Sequence, residues 1–83
     1  MTTSTYFIAH DFGTSGVKSI LINQLGEIAA HSIENYPMQT PHEGWVEQQP
    51  SDYWNAVIKA TKLLITNANI DTNTIKGIVF TTQ

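Results

Sequence analysis

Short apolar runs alternate with polar stretches along this chain, and one long segment carries helical spacing. The run Tyr6-Phe7-Ile8-Ala9 stops at His10-Asp11 and, being continuous and short, predicts a strand covered on both faces. After Gly13-Thr14-Ser15-Gly16, the β-branched stretch Val17 to Ile22 predicts a second strand. Asn23-Gln24-Leu25-Gly26 supplies turn chemistry, and Glu27 to Glu34 predicts a third. Short strands joined by a few residues are antiparallel neighbours, so Tyr6 to Glu34 is expected to form a three-stranded meander whose first loop carries the glycines.

From Tyr36 to Gln49 the prolines Pro37 and Pro41 and the cluster Gly44-Trp45-Val46-Glu47 predict an extended connection. Beyond Pro50, Trp54, Val57, Ile58, Leu64, Ile65 and Ala68 recur at helical spacing, while Asn55, Lys59, Lys62 and Thr66 fall on the other side. An amphipathic helix over about 50–67 follows, with Trp54 in the core. Pro50 suits the first helical position and Asp52 favours the positive end of the helix dipole. Gln49 is a poorer N-cap than aspartate. Asn67 to Thr74 reads as a polar loop, and Ile75 to Thr81 as a last strand around Ile78-Val79-Phe80. Strand, helix, strand in that order requires a parallel crossover. The expected fold is α/β, with the order β-β-β-α-β.

The chain has 83 residues, which allow one modest core and exclude a complete two-domain enzyme. It has no cysteine, hence neither a disulfide framework nor a thiolate metal site. Four lysines, no arginine and a net charge of −3 leave no basic stripe for a nucleic-acid backbone. The apolar run at Tyr6 is too short for a signal-peptide core or a membrane span, so a cytoplasmic location is the default expectation. His10, His31 and His42 have no spacing that sets two on one helix face, and none is expected to bind metal.

The sharpest chemistry lies in Asp11-Phe12-Gly13-Thr14-Ser15-Gly16-Val17-Lys18. A carboxylate ends a strand, and two glycines bracket two hydroxyls. Glycines at 13 and 16 permit unusual backbone angles and close approach, so loop N–H groups can turn toward an anion. Thr14 and Ser15 add hydroxyl donors, Lys18 adds a point charge, and Asp11 is suited to hold magnesium through water. An ordinary glycine-rich hairpin turn uses the same residue types. Three look-alikes fail. Asp11-Phe12-Gly13 lacks the upstream elements of a protein kinase. Gly16-Val17-Lys18-Ser19 lacks the lysine directly after glycine, and the following helix, of a Walker loop. Gly13 stands where an aspartyl-nucleophile phosphatase needs a second acid.

Together with Tyr36-Pro37, Gly44-Trp45-Val46-Glu47-Gln48-Gln49-Pro50, Tyr53-Trp54 and Gly77-Ile78-Val79-Phe80-Thr81-Thr82-Gln83, this loop resembles the N-terminal edge of the FGGY carbohydrate kinases, the family of xylulose, glycerol and gluconate kinases. The resemblance spans Tyr6 to Gln83. It implies a ribonuclease-H-like start of the actin-like ATPase superfamily and an ATP-dependent, magnesium-assisted transfer to a sugar or polyol. By the resemblance, Asp11 lies near magnesium and the transferring phosphate. Gly13, Thr14, Ser15 and Gly16 face ATP phosphates, and Lys18 lies near the nucleotide. Gln83 opens a substrate signature, and Trp45 and Glu47 lie close to the substrate cleft, although Trp45 is equally suited to anchoring the connection. The general base and the adenosine-binding domain of the family have no counterpart among these residues, so the chain is expected to be an inactive fragment of a kinase that is itself a possible homo-oligomer. A stand-alone nucleotide-binding or interaction module is the alternative, because a last strand without a further neighbour leaves an unpaired edge. A chaperone-type ATPase shares the loop but gives no reason for Gly44-Trp45-Val46-Glu47-Gln48.

Overall fold

The computed structural model describes residues 4–37 and 50–82. Three strands come first, β1 (Tyr6–Phe12), β2 (Gly16–Asn23) and β3 (Ile28–Asn35). The helix α1 (Pro50–Ala68), a 3-10 turn (Thr72–Thr74) and β4 (Ile75–Thr82) follow. The sheet order is β3-β2-β1-β4, with β1 antiparallel to β2, β2 antiparallel to β3, and β1 parallel to β4. The expected meander and parallel crossover are both present. Of the expected extended connection, Tyr36 and Pro37 continue β3 without strand pairing, and the remainder lies outside the described residues.

Local chemistry explains the punctuation. The β2–β3 turn closes on Asn23, whose side-chain Oδ1 accepts from the N–H groups of Leu25 and Glu27 at 2.9 and 3.0 Å, while Gly26 takes a φ of 86° that suits glycine. α1 begins at Pro50 as expected. It ends where Asn69, at a φ of 53°, donates its N–H to the carbonyl of Ile65 at 2.9 Å, a left-handed stop. Within the expected polar loop, Asp71 caps the 3-10 turn by accepting from the Asn73 N–H.

α1 lies across β2 and β3 and buries Ala56, Val57, Ala60 and Leu64. The two alanines let the helix approach the sheet closely. Val17, Tyr36, Ala56 and Ala60 form one apolar cluster beside Phe12 and Tyr53, and Ile8, Leu21 and Leu64 form a second. Between the clusters runs a buried polar row made of His10, Ser19 and Ser32.

Two expectations need correction. Trp54 is not core, since 62% of it is exposed: it is rotated off the buried stripe of Ala56, Val57, Ala60 and Leu64, and Ile58 shares its half-exposed flank. β1 is not covered on both faces among the described residues. Ile8 and His10 are buried under α1, whereas Phe7 on the opposite face is exposed. β4, at the sheet edge, leaves Ile78, Val79 and Phe80 each more than half exposed. A parallel pair of this kind ordinarily lies deep in a sheet covered on both sides.

Candidate functional site

The β1–β2 hairpin builds the site. Phe12 and Val17 form its last pair, and the Gly13 N–H donates to the Gly16 carbonyl at 2.9 Å, closing the loop. That N–H is therefore committed within the chain. The Ser15 carbonyl accepts from the Tyr36 N–H at 2.9 Å, tying the loop to the end of β3. Thr14 and Ser15 stand exposed at the tip.

Gly16 departs from expectation in an informative way. Gly26 alone among the described glycines has a positive φ, so Gly16 is not there for an unusual backbone angle. It is there for close approach: a Cβ on Gly16 would stand 2.5 Å from the Glu34 carbonyl oxygen and 3.0 Å from the Asn35 Cα. Only glycine lets β2 and β3 meet at this point, beside the loop.

Next to the loop, one cross-strand row carries the charge. Asp11 of β1 is paired with Lys18 of β2 on one side and with Thr81 of β4 on the other, and the Thr81 hydroxyl donates to Asp11 Oδ1 at 3.1 Å. Asp11, Gly13, Ser15, Gly16, Lys18 and Asn35 are among the residues lining a cleft of about 160 Å³. Five of the six loop residues proposed from sequence are thus brought together. Thr14 belongs to the same loop but does not line the cleft. Trp45, Glu47 and Gln83 lie outside the described residues.

Sequence reasoning missed Thr81, Asn35 and His10. Thr81 was reachable in principle, since a parallel crossover puts β4 beside β1, but the register that sets it opposite Asp11 has no local signal. His10 is fully buried: its Nδ1 lies 2.7 Å from Ser19 Oγ, and its ring stacks on Phe80 with centroids 5.3 Å apart. Burial lowers its pKa below the ordinary 6.5. Burial raises the pKa of Tyr36, with smaller contributions from Tyr53 and from the negative charge of Asp11. The Tyr36 hydroxyl is buried with no hydrogen-bond partner among the described residues.

One carboxylate beside hydroxyls and a lysine is a donor set for a hydrated magnesium ion that arrives with phosphates, since that ion keeps several waters and takes one or two carboxylates. Among the described residues no group of three or more histidine or acidic side chains could cage an ion by itself. None of the helices described is long and apolar enough to cross a membrane.

Residues 6–83 match the model of the FGGY family of carbohydrate kinases, N-terminal domain. The chain is 37% identical over 78 residues to a xylulose kinase of Bacillus subtilis and 36% identical over 78 residues to a glycerol kinase of Staphylococcus epidermidis. In each case 94% of this chain and 16% of the relative are covered. A gluconate kinase structure from Lactobacillus acidophilus superposes with a TM-score of 0.81 at 27% identity, covering 98% of this chain and 16% of that one. The chain thus spans about one sixth of the length of these relatives. A mixed sheet that opens with a glycine-bearing hairpin and crosses over to a parallel β4 is the start of the actin-like ATPase fold. Within that class, the chain belongs to the FGGY family of carbohydrate kinases.

Proposed function

We propose that the chain is the first part of the first domain of an ATP-dependent carbohydrate kinase, and that it supplies the phosphate-facing edge of the nucleotide site. The observation that carries this reading is the Asp11 row: a carboxylate held between Lys18 and Thr81 at the mouth of a loop that only glycine lets close against β3. In the kinase the ATP γ-phosphoryl group passes to a sugar or polyol hydroxyl, a transfer that depends on positioning and charge neutralisation more than on covalent chemistry. Magnesium, when bound, neutralises charge building on the phosphate oxygens.

In this reading Asp11 holds the ion through water. The Thr81 hydroxyl fixes its Oδ1, leaving the carboxylate oriented toward the cleft. Ser15 and Gly16 border the phosphates, Gly13 shapes the loop around them, and Thr14 adds a hydroxyl at the tip. Lys18 supplies positive charge from the neighbouring strand. Trp45, Glu47 and Gln83 are assigned to the substrate side by family resemblance. The base that takes the hydroxyl proton is expected elsewhere in a longer chain, so the 83-residue chain should be inactive by itself. Similar identity to a xylulose and a glycerol kinase fits a segment that handles the nucleotide rather than choosing the acceptor.

The test is an ADP-release screen across pentuloses, polyols and sugar acids, run with a longer protein carrying this segment and with the 83-residue chain. Acceptor-dependent release from the longer protein alone is expected. Acceptor-dependent release from the short chain above a denatured control, or none from the longer protein with any acceptor, would refute the proposal.

A further inference from the structure

The polar row inside the core lies one residue behind the Asp11 row. Ser32, Ser19, His10 and Phe80 are cross-strand partners in sequence across β3, β2, β1 and β4, and they face α1. The next row, Ile33, Lys18, Asp11 and Thr81, faces the other way. Whatever fixes the first row fixes the second.

Both ring nitrogens of His10 face a hydroxyl. Thr61 of α1 donates its hydroxyl proton to the Val57 carbonyl at 2.7 Å, so toward His10 it can only accept. With Nε2 at 3.5 Å from Thr61 Oγ1, the pairing that satisfies both ring nitrogens puts the proton on Nε2 and has Nδ1, 2.7 Å from Ser19 Oγ, accept from the Ser19 hydroxyl. Ser19 is as fully buried as His10, so neither group can turn to water instead.

Apolar patterning does not select this register unaided. A one-residue slip of β1 on β2 would turn Ile8 or Val17 out of the core and is excluded by burial. A two-residue slip keeps every side chain on its own face. It sets His10 opposite Val17 or Leu21, both apolar, and it sets Asp11 opposite Gly16 or Ile20 instead of Lys18. Only in the observed register does Nδ1 meet a hydroxyl. A buried polar group left without its partner is destabilising, and the slip carries the Ser19 hydroxyl away from Nδ1.

We propose that the His10–Ser19 pair, with Thr61 holding the ring, is a register lock that sets Asp11 beside Lys18 in the phosphate-loop hairpin. His10 is thus a positioning residue, acting on the site through the strand pairing and without touching it.

The test is nuclear magnetic resonance on the full 83-residue chain. Long-range proton–nitrogen correlations should show His10 with its proton on Nε2. Wild type should give one set of amide resonances for Asp11 to Lys18, with cross-strand contacts between those two residues. The double variant His10→Phe/Ser19→Ala replaces both partners by apolar groups, a change that can be nearly neutral for stability. It should nonetheless show a second set of hairpin resonances at about 1–10%, the population of an accessible minor state. Ser19→Thr, which keeps the hydroxyl, should return to one set. A proton on Nδ1, a disordered His10 ring in the wild type, or a double variant with a single set and intact Asp11–Lys18 contacts would each overturn the lock. The readout is pairing register and not phosphoryl transfer, so the lock and the kinase assignment stand or fall separately.

Discussion

Replacing Gly16 by alanine tests the junction on which the site depends. The added Cβ meets the Glu34 carbonyl oxygen at 2.5 Å, with the Asn35 Cα and Oδ1 each at 3.0 Å; ordinary contact begins at 3.4 Å, so β3 must yield by about 0.9 Å. Two of those three atoms belong to a strand backbone held in its ladder and cannot swing aside. Overpacking of this kind costs about 1–3 kcal/mol, and a backbone neighbour puts Gly16→Ala near the top, at about 2–3 kcal/mol. That is a roughly 30- to 150-fold loss in the folded-to-unfolded ratio. For a domain of this size it corresponds to a fall in melting temperature of about 10–20 °C. Thermal and urea melts followed by far-ultraviolet circular dichroism measure it. Two other glycines calibrate the result. Gly77→Ala meets only the Phe7 ring, at 3.1 Å, which can move, and should cost far less. Gly26→Ala has no neighbour within 4 Å but a φ of 86°, and should cost about 1–2 kcal/mol from backbone strain alone, remote from the loop. A Gly16→Ala chain as stable as wild type would refute the close-approach argument.

Removing the Tyr36 hydroxyl, which has no partner among the described residues, in Tyr36→Phe should leave stability unchanged or raise it by up to about 1 kcal/mol, read as a melting temperature at or above wild type. The same burial makes stability alkali-sensitive. With its folded pKa raised above 10.0, the contribution of Tyr36 is complete below that value and is lost as pH rises through the folded pKa, so denaturation midpoints should fall in wild type and less in Tyr36→Phe. Leu64→Ala should cost about 2–5 kcal/mol and Trp54→Ala under about 0.5 kcal/mol, because Leu64 is fully buried and Trp54 is largely exposed; urea midpoints rank the two.

Much of this fold is written locally. Asn23 and Gly26 announce a turn by chemistry that works within five residues, and Pro50 and Asp52 announce a helix start, so those features were legible. Trp54 was misplaced because its periodicity fits either flank of a helix. The small Ala56 and Ala60, not the largest apolar residues, mark the side that approaches the sheet. In the site, five of the six residues proposed from the run Asp11 to Lys18 line one cleft, and the run was legible as one loop. The reason for Gly16 was not, because it lies in β3, some twenty residues away. Thr81 and the Ser19 partner of His10 likewise depend on register, which arises only when distant strands pair.

The most direct trial of the account is steady-state phosphoryl transfer by a longer protein that carries this segment with Asp11→Ala, with circular dichroism as the check on folding. Because the Asp11 carboxylate is assigned to the ion that neutralises phosphate charge, kcat should fall by about a thousandfold or more while the spectrum stays that of wild type. Turnover within a few-fold of wild type would take Asp11 out of the mechanism and the nucleotide site out of this hairpin.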